Sequence, residues 1–397
     1  MSDIKIFSDD IEETALEQIN TLVEQSAFED SKIRIMPDVH AGKGCVIGFT
    51  ADLGDKVIPN IVGVDIGCGM LTVKLEDRRI YFNKLQKVIE EKVPSGMNVH
   101  PGRIAKFPEL QELYCYRDLR DAKRLERSIG TLGGGNHFIE VDKDDNNDKY
   151  LIIHSGSRNL GKQVAEYYQS LAIGLRKGKD ELFKARDELI KSYKEQGRKS
   201  EIQGALKELY KKFNQKELDM PAELCYLTGE YRERYLHDMR ICQTFAADNR
   251  WQIARLIIEG MGWTPEYTFE TIHNYIDLNS NIVRKGAISA KKGELVLIPM
   301  NMRDGCIIGI GKGNEDWNCS APHGAGRVMS RTKAKETVKL EDFETAMEGI
   351  WSKSIVEETI DESPFAYRSI DAIISKLGET VDVVKIIRPI YNFKAKE

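Results

Sequence analysis

At 397 residues the chain is long for one domain without requiring two, and its 41% apolar content lies well above that of disordered segments. Its formal charge of −5 excludes the strongly basic composition usual in dedicated nucleic-acid binders, although a sum is silent about a local basic groove. The opening MSDIKIFSDD has no basic-then-apolar signal pattern, and no apolar run reaches the roughly 18 to 20 residues of a membrane span, so a cytoplasmic protein is expected.

Along the chain, Ile11, Ala15, Leu16, Ile19, Leu22 and Val23 recur at helical spacing, which predicts a helix over 9–27 capped by Asp9 or Asp10. From 33 to 75, short apolar runs cut by Gly, Pro and Asp predict several buried strands. Residues 150–153 read as a buried strand that ends in the loop HSGSR, with a helix from about 160. Residues 174–218 are mostly charged and helix-prone, and predict a helical hairpin broken near Gly197. Its face is either simply solvated or carries Lys and Arg side chains to an RNA backbone. One long helix is predicted over 231–260 with Phe245, Ala246, Trp251, Ile253 and Ile257 inward. Strands at 294–299 and 306–311 flank the loop PMNMRDG. A helix over 324–336 should carry His323-Gly-Ala-Gly-Arg as its first turn, and a helix near 367–377 should lead to a last strand, 381–393. No repeat and no domain boundary stands out.

Five of the seven histidines sit in small, polar, glycine- or asparagine-rich contexts: His40, His137, His154, His273 and His323. Glycine permits sharp turns and close approach of a ligand, so five such loops in one chain suggest one shared site. Asp65 and Cys68, in VDIGCGM, lie three apart at the end of an apolar run. A thiolate, imidazoles and a carboxylate together suit a borderline divalent ion such as zinc or manganese, and a thiolate can bridge two ions. The alternative for Cys68 is a small buried side chain. The cysteines number seven and are scattered, which fits reduced thiols rather than a disulfide framework. The strand–turn–helix at HSGSR offers backbone N–H groups to an anion, with Arg158 as a bidentate donor, or is a plain turn with a surface arginine. At the start of its predicted helix, His323 would be held neutral by the positive dipole end and so be fit for attack on phosphorus. Arg327, one turn on, would hold a phosphate; the plainer reading of His323 is a capping residue.

The ordered motifs MPDVHAGKGCVIG, VGVDIGCGM, GTLGGGNHFIEV, HSGSRNLG, HNY, RKGA and SAPHGAGRVMSRTKAK, with a terminal NFK, resemble the RtcB family of RNA ligases over about residues 33–394. The resemblance implies a GTP- and manganese-dependent ligase that joins RNA 3′-phosphate or 2′,3′-cyclic phosphate ends to 5′-hydroxyl ends, in RNA repair or tRNA splicing. It implies guanylylation of His323, and two manganese ions on Asp65, Cys68, His137, His154 and His273, with Cys68 bridging and His40 outside the ligand set. It places Asn136 and Arg158 on phosphates, Glu140 on the guanine edge, Tyr367 and Lys394 on the base, and Phe138, Gly324, Ala325 and Gly326 around the nucleotide. The implied fold is one α+β domain over 1–397, with mixed β-sheets packed around the dimetal site, helices outside, and 174–218 as a charged helical insertion. No activator protein is identified by the residues.

The nucleotide loop departs from the family's P-G-S-M-G-T-x-S pattern. Here it runs Pro299-Met300-Asn301-Met302-Arg303-Asp304-Gly305-Cys306, with Asn301 and Cys306 in place of both serines. Cysteine is a much weaker hydrogen-bonding partner than serine. The alternative function is therefore a metal-dependent phosphodiesterase that opens cyclic phosphates on RNA ends without joining them. A non-enzymatic RNA-end binder ranks third, since it has no use for such a cluster.

Overall fold

The alternation of short apolar runs with Gly- and Asp-rich breaks folds as strands whose ends gather on one side of the molecule. The computed structural model describes residues 3–395. In chain order the strands are β1 (Asp3–Ile6), β2 (Lys32–His40), β3 (Ile47–Asp52), β4 (Gly69–Leu75), β5 (Phe138–Lys143), β6 (Lys149–Ser155), β7 (Pro265–Ile272), β8 (Asn274–Asp277), β9 (Ile282–Lys285), β10 (Ala287–Ser289), β11 (Leu295–Asn301), β12 (Gly305–Gly311), β13 (Ser320–Pro322) and β14 (Val381–Lys394). One sheet has the order β1-β2-β3-β9-β8, parallel only at β1–β2; another has the antiparallel order β11-β12-β14-β5-β6-β4-β7; β10 and β13 form a short third. The seven-stranded sheet curls on itself. Met70 and Ile152 near one end pack against Leu297, Cys306, Ile308 and Ile387 near the other, and Thr271 Oγ1 of β7 accepts from the amide of Leu297 in β11 (3.0 Å). This is the expected α+β architecture, with helices outside packed mixed sheets.

The helix Gly229–Met261, roughly 50 Å long at 1.5 Å per residue, buries Phe245, Ala246, Ile253 and Ile257. Trp251, expected inward, is 44% exposed. It lies roughly 200° round the helix from Ile253 at 3.6 residues per turn, on the solvent side of that stripe. The first helix is Glu13–Val23, shorter than expected, and Leu16 is likewise 44% exposed. Neither Asp9 nor Asp10 caps it: the cap residue is Glu12, whose Oε1 accepts instead from Ala41 N (2.5 Å).

The predicted helix over 324–336 does not form as read. Residues 323–329 are irregular, and the helix is Arg331–Thr337, capped by Ser330 Oγ accepting from Lys333 N (3.2 Å). Gly326 adopts φ +68°, and a Cβ there would lie 2.5 Å from the carbonyl oxygen of Asp38, so tertiary packing on β2 overrides the local helical pattern. The charged region does form a hairpin, Lys179–Glu195 and Ile202–Asn214, turning at Gly197 (φ +73°). Leu182 is the one buried residue of these two helices. No helix among the described residues is long and apolar enough to cross a membrane.

Candidate active site

Strand ends deliver the chemistry. His40 closes β2, Asp65 and Cys68 precede β4, His137 precedes β5, His154 lies in β6, His273 links β7 to β8, and His323 follows β13. A cavity of about 310 Å³ opens over them, within the range of small-molecule sites. Every expected site residue lines it except His137 and Arg158.

Cys68 is the centre of the donor cluster. Its Sγ lies 3.4 Å from His137 Nε2 and 3.2 Å from His154 Nε2, and His137 Nε2 lies 2.9 Å from Asp65 Oδ2. Both imidazoles are oriented from behind: Nδ1 of His137 bonds to Leu132 O (2.9 Å) and Nδ1 of His154 to Asn136 O (3.1 Å). Those carbonyls accept, so each Nδ1 carries hydrogen and each Nε2 is turned toward Cys68, the usual orientation of metal-binding histidines. The His273 ring stands 5.2 Å from that of His154, and the His323 ring 5.1 Å beyond it. Burial holds His154 and His273 well below the ordinary imidazole range, reinforced by the neighbouring imidazoles. Burial, then the adjacent Asp65 carboxylate, pushes the Cys68 thiol well up. Burial also works against an ionised Asp65, but the His137 hydrogen bond and the Arg158 charge overcome it and bring Asp65 down to about 2. Neutral imidazoles at His154 and His273, an ionised carboxylate and a thiol that needs a cation to ionise form a donor set that fits divalent metal.

The HSGSR turn is occupied differently from the expectation. A Cβ on Gly156 would lie 2.2 Å from Asp65 Oδ1, so glycine is required here and the anion against this turn is the protein's own carboxylate. Arg158 turns behind His137: its Nη1 lies 3.3 Å from His137 Nδ1, and its Nε donates to Thr131 Oγ1 (3.3 Å). It buttresses the cluster from outside the cavity. Arg327 is also committed elsewhere, donating to Asp361 O (2.7 Å) and the Tyr367 hydroxyl (3.2 Å). It does not share a helical face with His323.

The helix-dipole argument for His323 falls with its helix, and Asp38 takes its place. Asp38 Oδ2 lies 2.6 Å from His323 Nδ1 and accepts from the amides of His323 (3.1 Å) and Gly324 (3.3 Å). Asp38 is fully buried. The carboxylate fixes the Nδ1–H tautomer and leaves the Nε2 lone pair free, as in carboxylate–histidine pairs generally.

Around the cavity, Glu140 Oε2 accepts from Asn392 Nδ2 (2.5 Å). Lys394 pairs with Glu362, sits 5.6 Å over the Phe138 ring, and shares Glu362 with the Tyr367 hydroxyl (2.8 Å). Asn301 is engaged in its own turn: Oδ1 accepts from the amides of Arg303 (3.0 Å) and Asp304 (2.9 Å), and Nδ2 donates to Asp304 (2.8 Å). The buried Cys306 thiol lies with Glu140 and Asp142.

Four structural contributors escaped the sequence reading. Asp38 and Glu362 have partners distant in sequence. Asn249 and Arg250, inside the long helix, clamp the site loops. Asn249 Oδ1 accepts from the amides of Gly130 (2.8 Å) and Thr131 (3.0 Å), and Arg250 Nη1 donates to the carbonyls of Gly67 (2.8 Å) and Ser155 (3.0 Å). Two adjacent polar residues in a mostly apolar stripe were the available signal.

A family model described as tRNA-splicing ligase RtcB matches residues 23–118 and 115–395, nearly the whole chain. The chain belongs to the RtcB family. It is 31% identical to the RNA-splicing ligase RtcB of Escherichia coli (strain K12), over 91% of this chain and 90% of that protein. It is 26% identical to the tRNA-splicing ligase RtcB of Nanoarchaeum equitans, over 91% and 87% respectively. The matched residues include those that carry the donor cluster and the Asp38–His323 pair.

Proposed function

We propose that this RtcB protein is an RNA ligase that joins 3′-phosphate or 2′,3′-cyclic phosphate ends to 5′-hydroxyl ends through a guanylylated His323, with GTP as nucleotide donor and manganese as metal. The Asp38–His323 pair carries this reading, because it presents an unblocked Nε2 to the cavity beside the donor cluster. In the proposed sequence Nε2 forms a bond to the α-phosphorus of GTP as pyrophosphate leaves. A cyclic end is first opened by water, which breaks the P–O2′ bond; an oxygen of the RNA 3′-phosphate then takes the nucleotide, freeing Nε2, and the 5′-hydroxyl oxygen displaces GMP from the activated end, giving up its proton. Asp65, Cys68, His137, His154 and His273 would hold two ions, which neutralise phosphate charge when bound. Asn136, Phe138, Glu140 and Gly324 to Gly326 line the space for the nucleotide, with Tyr367 and Lys394 fixed by Glu362 at its edge.

The direct test is incubation with α-phosphate-labelled GTP and manganese. An acid-labile adduct on His323 is expected, and no adduct with any divalent metal would sink the reading. The phosphodiesterase alternative draws on the loop: Asn301 is spent on its own turn, and Cys306 lies with buried acids. It predicts opening of cyclic phosphate with neither adduct nor joining.

The hairpin supplies a second expectation. Residues 174–218 hold 13 Lys and Arg against 8 Asp and Glu, a net +5, which leaves −10 for the rest of the chain. Lys207, Lys211 and Lys212 are exposed on its second helix. We read this hairpin as an arm for the RNA backbone. Replacing these three lysines with alanine should lower the salt slope of RNA binding by about 0.7 to 0.9 for each phosphate that is no longer neutralised, while adduct formation from GTP stays unchanged. An unchanged slope in fluorescence-anisotropy titrations would return the hairpin to a merely solvated role.

A further inference from the structure

Behind the cavity wall lies a buried acid that the proposed reaction does not use, Asp142, next to the cavity-lining Glu140. Glu140 and Asp142 stand two apart on β5, on one face of the strand. Their carboxylate oxygens and the Cys306 Sγ of β12 all lie within 4.8 Å of one another. Asp142 is 0% exposed, and no N–H or O–H donor reaches either of its oxygens. Glu140 is 3% exposed but lines the cavity, which Asp142 does not. Cys306 belongs to the apolar cluster of Met70, Ile152, Leu297, Ile308 and Ile387, so the surroundings are poor in polar groups. The other groups facing Glu140 are Asn392, which donates to it, and Lys394, which is already paired with Glu362.

Two carboxylates this close in an apolar setting do not both stay ionised; they share one proton. Burial, then the charge of Glu140, pushes Asp142 far above the carboxylate range, whereas burial lifts Glu140 only to about 7. Asn392 donates to Glu140, which also faces the cavity, whereas nothing donates an N–H or O–H to Asp142, so the shared proton resides on Asp142.

We propose that Asp142 is a positioning residue for base selection: its protonated carboxyl donates to Glu140 and keeps Glu140 an acceptor-only carboxylate toward the cavity. An ionised carboxylate accepts two parallel N–H groups, the pattern of a guanine edge. A neutral carboxyl offers one donor and one acceptor, the pattern of an adenine edge. Base preference then follows the ionisation of Glu140. Guanine is favoured above a pH near 7, and the preference narrows as pH falls and Glu140 takes up a proton. This inference rests on the proposed role of Glu140 in reading the base.

The test is the ratio of GTP to ATP affinity, measured with the full chain and manganese between pH 6 and 8.5. Asp142→Val removes the donor and should move the pH at which guanine preference fades upward by a unit or more. Asp142→Asn still donates and should keep the preference, while losing a protonated-carboxyl infrared band that the wild type retains above pH 7. An Asp142→Val profile that overlays the wild type, or an infrared band untouched by Asp142→Asn, overturns the proposal, as does a divalent ion bound at the pair. Glu140→Gln separates the two readings. If it alters the GTP to ATP ratio while Asp142→Val does not, only the role of Asp142 fails; if it leaves the ratio unchanged, the base-reading role of Glu140 fails first. Thermal unfolding of each variant confirms that the folded protein is being compared, and Asp142→Asn, nearly isosteric, carries the test should Asp142→Val not fold.

Discussion

His323→Ala is expected to form no nucleotide adduct and to join no RNA ends, while Asp38→Asn keeps the nucleophile and loses roughly 10²- to 10⁴-fold in the rate of adduct formation. The two variants separate having Nε2 from having it oriented. Asp38 Oδ2 engages the imidazole at 2.6 Å and two backbone amides besides, so an asparagine oxygen can still satisfy the amides. What it cannot supply is the negative charge that holds the Nδ1–H tautomer and stabilises positive charge on the ring as Nε2 bonds to phosphorus. Single-turnover labelling distinguishes these effects: the loss in Asp38→Asn should fall on the rate of adduct formation and not on nucleotide affinity. His273 is the nearest competitor, its ring 5.1 Å from that of His323. Joining by His323→Ala above roughly one per cent of wild type, with label on another histidine, would overturn the assignment, since loss of a nucleophile costs far more than that.

The same pair marks how far the sequence could be read. The clustering of His137, His154, His273, Asp65 and Cys68 was legible because each stands in or beside a small, polar, glycine- or asparagine-rich segment. The long helix and the charged hairpin were legible because periodicity is a local property. Partnerships between residues distant in sequence were not. Asp38 and His323 are 285 residues apart, and nothing local to HGAGR shows that its amides are taken up by a carboxylate on β2 instead of starting a helix. Arg158 shows the limit from the other side. Its motif named a phosphate donor, but β5 and β6 bring His137 in front of it, so its charge acts on Asp65 and on the imidazole. Trp251 is a different case: a large apolar residue near a buried stripe looks like part of it until the helical angle is counted.

The second large effect concerns the metal. Cys68→Ser is expected to weaken manganese binding by more than about 100-fold, since loss of residues that merely orient metal ligands already costs 10- to 100-fold. Serine is close in volume to cysteine, so the fold should survive in a chain where the replaced side chain is small and buried. Stability provides the readout. Manganese at 100 times the wild-type Kd should stabilise the wild type by about 2.7 kcal/mol, and the same concentration should stabilise Cys68→Ser by about 0.4 kcal/mol or less. The pH dependence gives an independent check. Burial and the Asp65 charge keep the Cys68 thiol protonated in the absence of a cation, so binding must expel a proton, and wild-type affinity should rise up to about tenfold per unit of pH between roughly 6.5 and 8.5. Serine has no such proton to lose, and that share of the slope should vanish. A variant that keeps both the affinity and the slope would show that Cys68 packs between His137 and His154 without binding metal, and the dimetal reading of the site would have to be rebuilt on the histidines and Asp65 alone.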